Sequence, residues 1–365
     1  MKKLKKLKKL TALLTAIGMV AAMSACGSDA ASSATTASTG AADSAPAATE
    51  AAQAAEAPAE AGSAAETAAA GDETYLIGIC QLVQHEALDA ATQGFKDALT
   101  EKLGDKVKFD EQNASGDSAN CSTIVNGFLS ENVNLILANA TAPLQAAAAA
   151  TSDIPVLGTS VTDYATALEI SDWTGTVGTN VSGTSDLAPL DQQAAMIKEL
   201  FPDAKKVGLL YCSAEPNSVY QCDTIEGYLK DEGYEIERYA FTDTNDVTSV
   251  TQTACDNSDV IYIPTDNTAA SNTEAIANVV LPAGVPAVVG EEGICKGCGV
   301  ATLSISYYDL GYATGEMAYK ILVEGQDVST TAVETAKTVT KKYNVANCEA
   351  LNITVPDDYE AISEE

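Results

Sequence analysis

The sequence predicts an α/β protein of two doubly wound, Rossmann-like lobes that a three-segment hinge joins. From residue 74 onward, short β-branched runs alternate with longer amphipathic segments, the pattern of parallel strands covered by helices. The alternation starts a second time after residue 186, and two successive sets of similar length indicate two lobes. A helix and a strand follow. If the helix returns to the first lobe and the strand to the second, three segments cross between the lobes.

The first set opens with a strand over Tyr75–Cys80 and a helix over 87–103. The apolar residues of this helix fall on one face, at Leu88, Ala91, Phe95, Ala98 and Leu99. Strands are predicted next at 107–109, 134–138, 154–157 and 176–178, with helices at 118–131 and 143–151. The N-terminal lobe is therefore expected to comprise residues 74–186 and 303–326.

The second set has the same composition of elements. Strands are predicted at 206–211, 235–241, 259–263 and 286–289, and helices at 186–201, 218–232, 247–255 and 271–281. The last helix, 308–324, ends at Gly325, a good C-terminal cap, and a Thr/Val-rich strand covers 333–343. The C-terminal lobe is expected to comprise 187–302 and 327–365, with hinge crossings near 184–188, 301–306 and 326–332.

The N-terminus predicts export. Six lysines within residues 1–9 precede an apolar stretch, 10–22, that is too short to span a bilayer comfortably, as in a signal peptide. Met23-Ser24-Ala25-Cys26 resembles the bacterial lipobox, so residues 1–25 are expected to be removed and Cys26 to be lipidated; the alternative is an ordinary secretory signal with a chance cysteine. Residues 26–73 lack aromatic side chains and read as a flexible tether. We expect a protein anchored to the extracytoplasmic face of the cell membrane by lipid alone.

The charge excludes some partners. The formal net charge is −31, and loss of the signal peptide leaves 14 basic against 51 acidic residues. This balance disfavours nucleic-acid binding and attraction to anionic lipid through a basic surface. The chain is expected to be a monomer.

The cysteine spacing does not indicate a catalytic or metal site, and the sequence lacks the common catalytic motifs. Eight cysteines follow Cys26, and only Cys295-x-x-Cys298 has a metal-like or redox-like spacing, with no second pair and a single histidine in the chain. A local disulfide or plain thiols are both compatible with this spacing. There is no Gly-x-Ser-x-Gly elbow, Walker loop or His-Glu-x-x-His motif. We expect no enzyme activity, no metal and no cofactor.

Ligands of open α/β sheets bind beyond the carboxyl ends of the strands, so the loops that leave the strands are candidate binding loops. The candidate ligand-binding residues in these loops are Gln81, His85, Asn139, Thr141, Ser160, Thr162, Glu215, Asn217, Ser218, Asp266, Asn267 and Glu291.

These loops divide by chemistry. The backbone N–H groups of 139–143 and the Thr141 hydroxyl suit a carboxylate, although Thr141 could simply cap the helix. Ser160 and Thr162 could add hydroxyls to the same carboxylate. Asp266, in the second lobe, is the strongest candidate for an ammonium group. His85 is either a ligand contact or a structural loop residue. A zwitterion bridging the lobes would favour their closure.

Six ordered motifs carry a family resemblance: Ile77–Asp89, Asn180–Asp186, Tyr211–Ser218, Ile261–Asn267, Tyr307–Gly315 with Ile321–Leu322, and Asn344–Ala346 with Leu351–Pro356. They resemble the ABC-transporter substrate-binding family that includes bacterial tryptophan- and tyrosine-binding lipoproteins, with the type I periplasmic-binding-protein fold. The resemblance implies an aromatic amino acid ligand and ABC permease and ATPase partners. Glu86 departs from the family, which usually has proline after the histidine.

From the residues alone, the prediction reaches only a small polar solute with a cationic group. Another amino acid, a peptide fragment, a nucleoside or a sugar remains an alternative ligand. A surface sensor or adhesin that hands its ligand to a receptor is an alternative to an importer component.

Overall fold

The computed structural model describes residues 74–363, so the predicted signal peptide, Cys26 and the tether lie outside the described residues. The strands are β1 (Tyr75–Gln81), β2 (Val107–Asn113), β3 (Leu135–Asn139), β4 (Val156–Val161), β5 (Val181–Ser185), β6 (Lys206–Cys212), β7 (Glu235–Phe241), β8 (Val260–Ile263), β9 (Ala287–Val289), β10 (Ala301–Ser304), β11 (Glu334–Thr335), β12 (Thr340–Tyr343) and β13 (Glu360–Ala361).

The helices cover both faces of the sheets. They are α1 (Glu86–Leu103), α2 (Ser118–Glu131), α3 (Thr141–Ala150), α4 (Tyr164–Ala167), α5 (Leu190–Leu200), α6 (Pro216–Asp231), α7 (Val247–Asn257), α8 (Asn267–Ala270), α9 (Thr273–Ala283), α10 (Glu292–Gly297), α11 (Tyr307–Glu324) and α12 (Val345–Ala350). Within the described residues, no helix is both long enough and apolar enough to cross a bilayer.

The strands form two sheets of matching topology. The first has the order β11-β5-β4-β3-β1-β2 and the second the order β13-β12-β10-β9-β8-β6-β7. All pairs are parallel except β10 with β12. In both sheets the strand order reverses beside the first strand of the set, between β1 and β3 and between β6 and β8, which is where ligands bind in doubly wound folds. The predicted two-lobed α/β architecture is confirmed.

Helix α1 shows why the apolar periodicity predicts this packing. All five residues of its predicted apolar face are buried. After the second crossing, α11 returns to the first lobe and packs on α1, as expected. The two helices approach so closely that a Cβ on Gly311 would lie 1.9 Å from the Ala91 carbonyl oxygen, and one on Gly94 would lie 2.1 Å from the Tyr308 carbonyl oxygen. Glycine is therefore required at this crossing.

The chain crosses between the sheets at places that differ in part from the prediction. Strand β10 runs to Ser304 within the second sheet. Residues 303–304, which were predicted to belong to the first lobe, therefore belong to the second. The predicted strand over 333–343 is in fact two strands: β11 pairs with β5 of the first sheet and β12 with β10 of the second. The third crossing therefore lies after Thr335, not at 326–332. No strand forms at 176–178, since β5 begins only at Val181.

The cysteines of the described domain are thiols. All eight, from Cys80 to Cys348, are buried and free, including the Cys295–Cys298 pair. Of the two alternatives that the spacing left open, the structure therefore has plain thiols.

Candidate functional site

A narrow cavity, about 270 Å³ including its opening to solvent, lies between the carboxyl ends of the two sheets. Both lobes and the hinge line it, through His85, Leu88, Ser160, Asp186, Asn217, Thr265, Asp266, Asn267, Ala270, Glu291 and Tyr307. Six of the twelve predicted site residues are therefore brought together here: His85, Ser160, Asn217, Asp266, Asn267 and Glu291.

Asp266 lies at the carboxyl end of β8, where it caps α8. Its Oδ1 accepts a hydrogen bond from the Ala269 backbone N–H at 2.8 Å, and its Oδ2 accepts one from the Cys212 N–H at 2.6 Å. Burial, helped by the neighbouring Glu215 charge, raises the pKa of Asp266 to about 8, although these hydrogen bonds lower it. The carboxyl group is rigidly held and costly to ionise without a cation.

Glu291 plays the same structural role after β9. Its carboxylate accepts hydrogen bonds from the backbone N–H groups of Gly293 and Ile294 at the start of α10. Burial raises its pKa to about 7, although these two hydrogen bonds lower it. A second buried carboxyl group therefore faces the cavity from the same lobe.

Asp186 is the third carboxylate, and sequence reasoning missed it. It follows β5 at the first crossing and accepts hydrogen bonds from the Thr162 hydroxyl at 3.1 Å and the Tyr307 hydroxyl at 2.8 Å. Burial raises its pKa. Tyr307 opens α11 just after the second crossing, so this contact joins two hinge segments. The rule that selected the other loops did not reach it, because the strand is predicted at 176–178 and not at β5, which ends at Ser185.

The first lobe contributes a strained edge. Ala140 has φ 103° and Ser160 has φ 55°, conformations that side chains other than glycine rarely adopt. Ala140 directly follows β3, and Ser160 is the penultimate residue of the neighbouring strand β4. The Ser160 hydroxyl lines the cavity, is buried and has no hydrogen-bond partner. No side chain caps α3, which begins at Thr141, one residue after Ala140. The Ser160 hydroxyl is thus an unused polar group in the cavity, whereas Thr141 is not among the residues that line it.

Two other predicted residues point into the first lobe. The Gln81 amide donates to Asp89 at 2.6 Å and accepts from the Thr92 hydroxyl at 2.7 Å. The Asn139 amide donates to the Leu88 carbonyl at 2.8 Å and to the Thr92 hydroxyl at 2.9 Å. Both residues tie their strand ends to α1, and neither lines the cavity.

Glu215, Asn217, Ser218 and Thr162 form the surroundings of the cavity. Glu215 accepts hydrogen bonds from the backbone N–H groups of Asn267 and Thr268 at 3.0 and 2.8 Å. Asn217 donates to the Thr265 carbonyl at 3.1 Å and approaches the Ser218 hydroxyl at 3.3 Å. The Thr162 hydroxyl accepts from Gln221 of the second lobe at 3.2 Å. Of these four, only Asn217 lines the cavity.

His85 reaches across the cleft. It immediately precedes α1, and its Nε2 lies 3.2 Å from Oδ1 of Asn267, the first residue of α8 in the other lobe. Burial lowers the pKa of His85 below its usual value, so the ring is neutral at neutral pH. The two lobes therefore touch at this point.

The charge of the cavity limits what it can hold. Its lining includes the carboxyl groups of Asp186, Asp266 and Glu291 and contains no lysine or arginine. Three buried carboxyl groups without a cationic partner are unfavourable, and a bound ammonium group would compensate them.

Comparison with known proteins agrees with this geometry. A family model described as ABC transporter substrate binding protein matches residues 76–365. A tyrosine-binding protein from Clostridioides difficile (strain R20291) is 37% identical over 262 residues, which are 71% of this chain and 75% of that protein.

Solved structures are similar along most of the chain. The ABC domain in complex with L-Trp from Streptococcus pneumonia is 32% identical, with a TM-score of 0.75 over 78% of this chain and 97% of that one. The ligand-free, open structure of a substrate-binding protein with adhesive properties from Clostridium difficile is 34% identical, with a TM-score of 0.62 over 80% of this chain and 100% of that one. A Bacillus halodurans solute-binding protein with bound myo-inositol, at 13% identity and a TM-score of 0.57 over 78% of this chain and 99% of that one, shares the fold alone.

Proposed function

The chain belongs to the ABC transporter substrate-binding protein family, and we propose on that premise that it captures an aromatic amino acid, tyrosine or tryptophan, for an ABC importer. Its two lobes have the type I periplasmic-binding-protein fold, and the family is one of solute-binding proteins, not enzymes. The observation that carries the proposal is the cavity between the lobes, with its three carboxyl groups and no cation.

The ammonium end of the ligand lies among these carboxyl groups. Asp266 is its principal partner, because its oxygens are fixed by α8 and by the Cys212 N–H and because a carboxylate accepts more hydrogen bonds than the two that these groups donate. Asp186 and Glu291 add negative potential from the hinge and from the second lobe. Charge-assisted hydrogen bonds in a buried site of this kind are strong.

The carboxylate end lies on the first lobe. The unpartnered Ser160 hydroxyl and the uncapped start of α3 at Thr141 are its donors, as the loop chemistry predicts. Binding a zwitterion between these donors and Asp266 requires both lobes. The ligand therefore stabilises the closed arrangement over the open one.

Two findings support closure as the working motion. Thr162 and Gln221, and His85 and Asn267, make hydrogen bonds between the lobes. The TM-score is also higher with the L-Trp complex, 0.75, than with the ligand-free, open structure, 0.62, at similar sequence identity.

A thermal-shift panel on residues 74–365 tests the ligand. L-Tyrosine and L-tryptophan at 100 times their dissociation constants should each stabilise the domain by about 2.7 kcal/mol, whereas L-leucine, adenosine and glucose should have no effect. If one of the latter three shifts the melting temperature and the aromatic amino acids do not, the ligand assignment is wrong.

The lipid anchor is a separate part of the proposal. Cys26 follows a lysine-rich and apolar leader in the lipobox-like Met23–Cys26, so the mature protein is held outside the cytoplasm by acyl chains. Replacing Cys26 with alanine should move the protein from the membrane fraction to the soluble fraction after cell lysis. Retention of the variant on membranes would contradict lipidation at this residue.

A surface role is the second candidate, since one similar protein is described as having adhesive properties. Uptake separates the two functions. Deleting the gene should abolish high-affinity import of labelled tyrosine if the protein serves a permease and an ATPase, and should leave import unchanged if it serves only adhesion or sensing.

A further inference from the structure

We propose that His85 and Asn267 form a gate across the mouth of the cavity, and that Glu215 is a positioning residue that holds the Asn267 side chain in the orientation that closes it. This inference rests on the proposed function. In this proposal the three residues control the rate at which ligand leaves the cavity and do not determine which ligand is bound.

The gate is a contact between the lobes. His85 stands at the start of α1 in the first lobe, and Asn267 at the start of α8 in the second, with Nε2 and Oδ1 3.2 Å apart. Because the two side chains come from different lobes, separating the lobes breaks the contact.

Glu215 fixes the direction of the Asn267 amide. Its Oε2 accepts hydrogen bonds from the Asn267 backbone N–H at 3.0 Å and from Nδ2 at 2.7 Å, and its Oε1 accepts from the backbone N–H and the hydroxyl of Thr268, both at 2.8 Å. Since Nδ2 is committed to Glu215, Oδ1 faces His85, and the histidine must donate from Nε2. Both Glu215 oxygens are thus occupied by the second lobe itself.

The position of Asn267 makes the contact a gate. Asn267 lines the inner cavity and also a larger outer groove, about 1020 Å³ including its opening to solvent, which runs between Val83 of the first lobe and Thr268 of the second. The hydrogen bond to His85 therefore lies between the groove and the cavity. Ligand moving from one space to the other passes this pair.

Dissociation of radiolabelled L-tyrosine, chased with excess unlabelled ligand, tests the gate in the mature protein. Asn267→Ala removes one buried hydrogen bond and should speed dissociation about fivefold to tenfold. Glu215→Gln removes the charged acceptor and should speed it by a smaller factor. His85→Gln keeps a side-chain donor and should dissociate within about twofold of the unchanged protein, whereas His85→Leu should match Asn267→Ala.

Glu86→Gln is the matched control. Glu86 is next to His85 and also contacts the other lobe, through an ion pair of 3.4 Å with Lys296, but its side chain is 58% exposed and does not line the inner cavity. Loss of such an exposed pair should change the rate by less than about twofold to threefold.

A second readout separates a gate from a ligand contact. The ratio of the dissociation constants for L-tyrosine and L-tryptophan should stay unchanged in every gate variant, because the gate closes behind either ligand. An altered ratio would make Asn267 or His85 a ligand contact. An unchanged dissociation rate would mean that ligand leaves by the hinge side, where another pocket shares Glu291 and Tyr307 with the cavity. Either result overturns the gate.

Failure of the proposed function looks different. If the unchanged protein does not bind L-tyrosine, the ligand assignment fails. The same chase then uses L-leucine, adenosine or glucose, whichever stabilised the domain in the panel, and the gate variants should again speed its release.

Discussion

Replacing Asp266 with asparagine should weaken L-tyrosine binding by about 10- to 100-fold, the largest effect expected of any single substitution in the cavity. A charge-assisted hydrogen bond to a buried carboxylate contributes roughly 1.5–3 kcal/mol, and 1.4 kcal/mol corresponds to about tenfold in affinity. Asparagine keeps the shape of the side chain and removes its ionisable group. Isothermal titration calorimetry of the two proteins measures the change.

Two controls make the result specific. The des-amino analogue 3-(4-hydroxyphenyl)propionate lacks the ammonium group, so its affinity should be nearly the same for both proteins. Asp259→Asn changes a carboxylate at the other end of β8, where it accepts hydrogen bonds from the Lys205 and Lys206 N–H groups at 2.7 and 2.9 Å, far from the cavity lining. It should leave binding unchanged. Equal losses for tyrosine and its des-amino analogue would remove Asp266 from the ammonium site.

Affinity for L-tyrosine should rise as the pH is raised from 6 to 8, by up to about tenfold per pH unit for each proton released. The ligand-free protein has raised pKa values at Asp266, about 8, and at Glu291, about 7, so both groups are partly protonated in this range. The ammonium group binds the ionised forms and must displace these protons. Calorimetry at pH 6, 7 and 8 in buffers of different ionisation enthalpy counts them.

The stability of the ligand-free protein should change with pH in the opposite direction to its affinity. The pKa of Asp266 is raised from 3.8 to about 8, so the folded state holds a proton that the unfolded state has lost. The stability that this proton gives is fully present below about pH 4 and is lost as the pH rises through 8. The melting temperature of Asp266→Asn relative to the unchanged protein should therefore increase with pH over this window.

The same variant identifies the source of the pH dependence. Asp266→Asn should flatten the rise in affinity above pH 7, where Glu291 and His85 contribute least. Below pH 7 part of the slope should remain, because protonating Glu291 also removes negative charge from the cavity that holds the ammonium group. An affinity that stays constant or falls from pH 6 to 8 would contradict a role for ionised carboxylates in binding.

Local periodicity predicts much of the fold. The apolar face of α1 and the buried runs of β1, β3 and β8 depend on residues close together in the chain, so the amino-acid order is sufficient to predict them. The short strands near the hinge cannot be predicted from local periodicity. Strands β11 and β12 have two and four residues, and the sheet each one joins depends on its hydrogen-bonding partner.

The candidate site, too, is predicted from the sequence only in part. Asp266, Glu291 and Ser160 are found from the sequence because polar residues after parallel strands collect at one edge of a sheet. Gln81, Asn139 and Glu215 satisfy the same rule, yet their side chains bind α1 or α8 instead of facing the cavity. The direction of a loop side chain depends on which donors and acceptors lie beside it in space.

By itself, therefore, the sequence determined the two lobes and the loops from which a binding site is made, since each follows from local pattern, whereas the export signal stays a prediction. Only the tertiary structure decided which of those side chains meet, and it added Asp186 and Tyr307 from two hinge crossings 121 residues apart. The physical reason is that a cavity between lobes is made by packing distant segments against each other, and no local pattern records that contact.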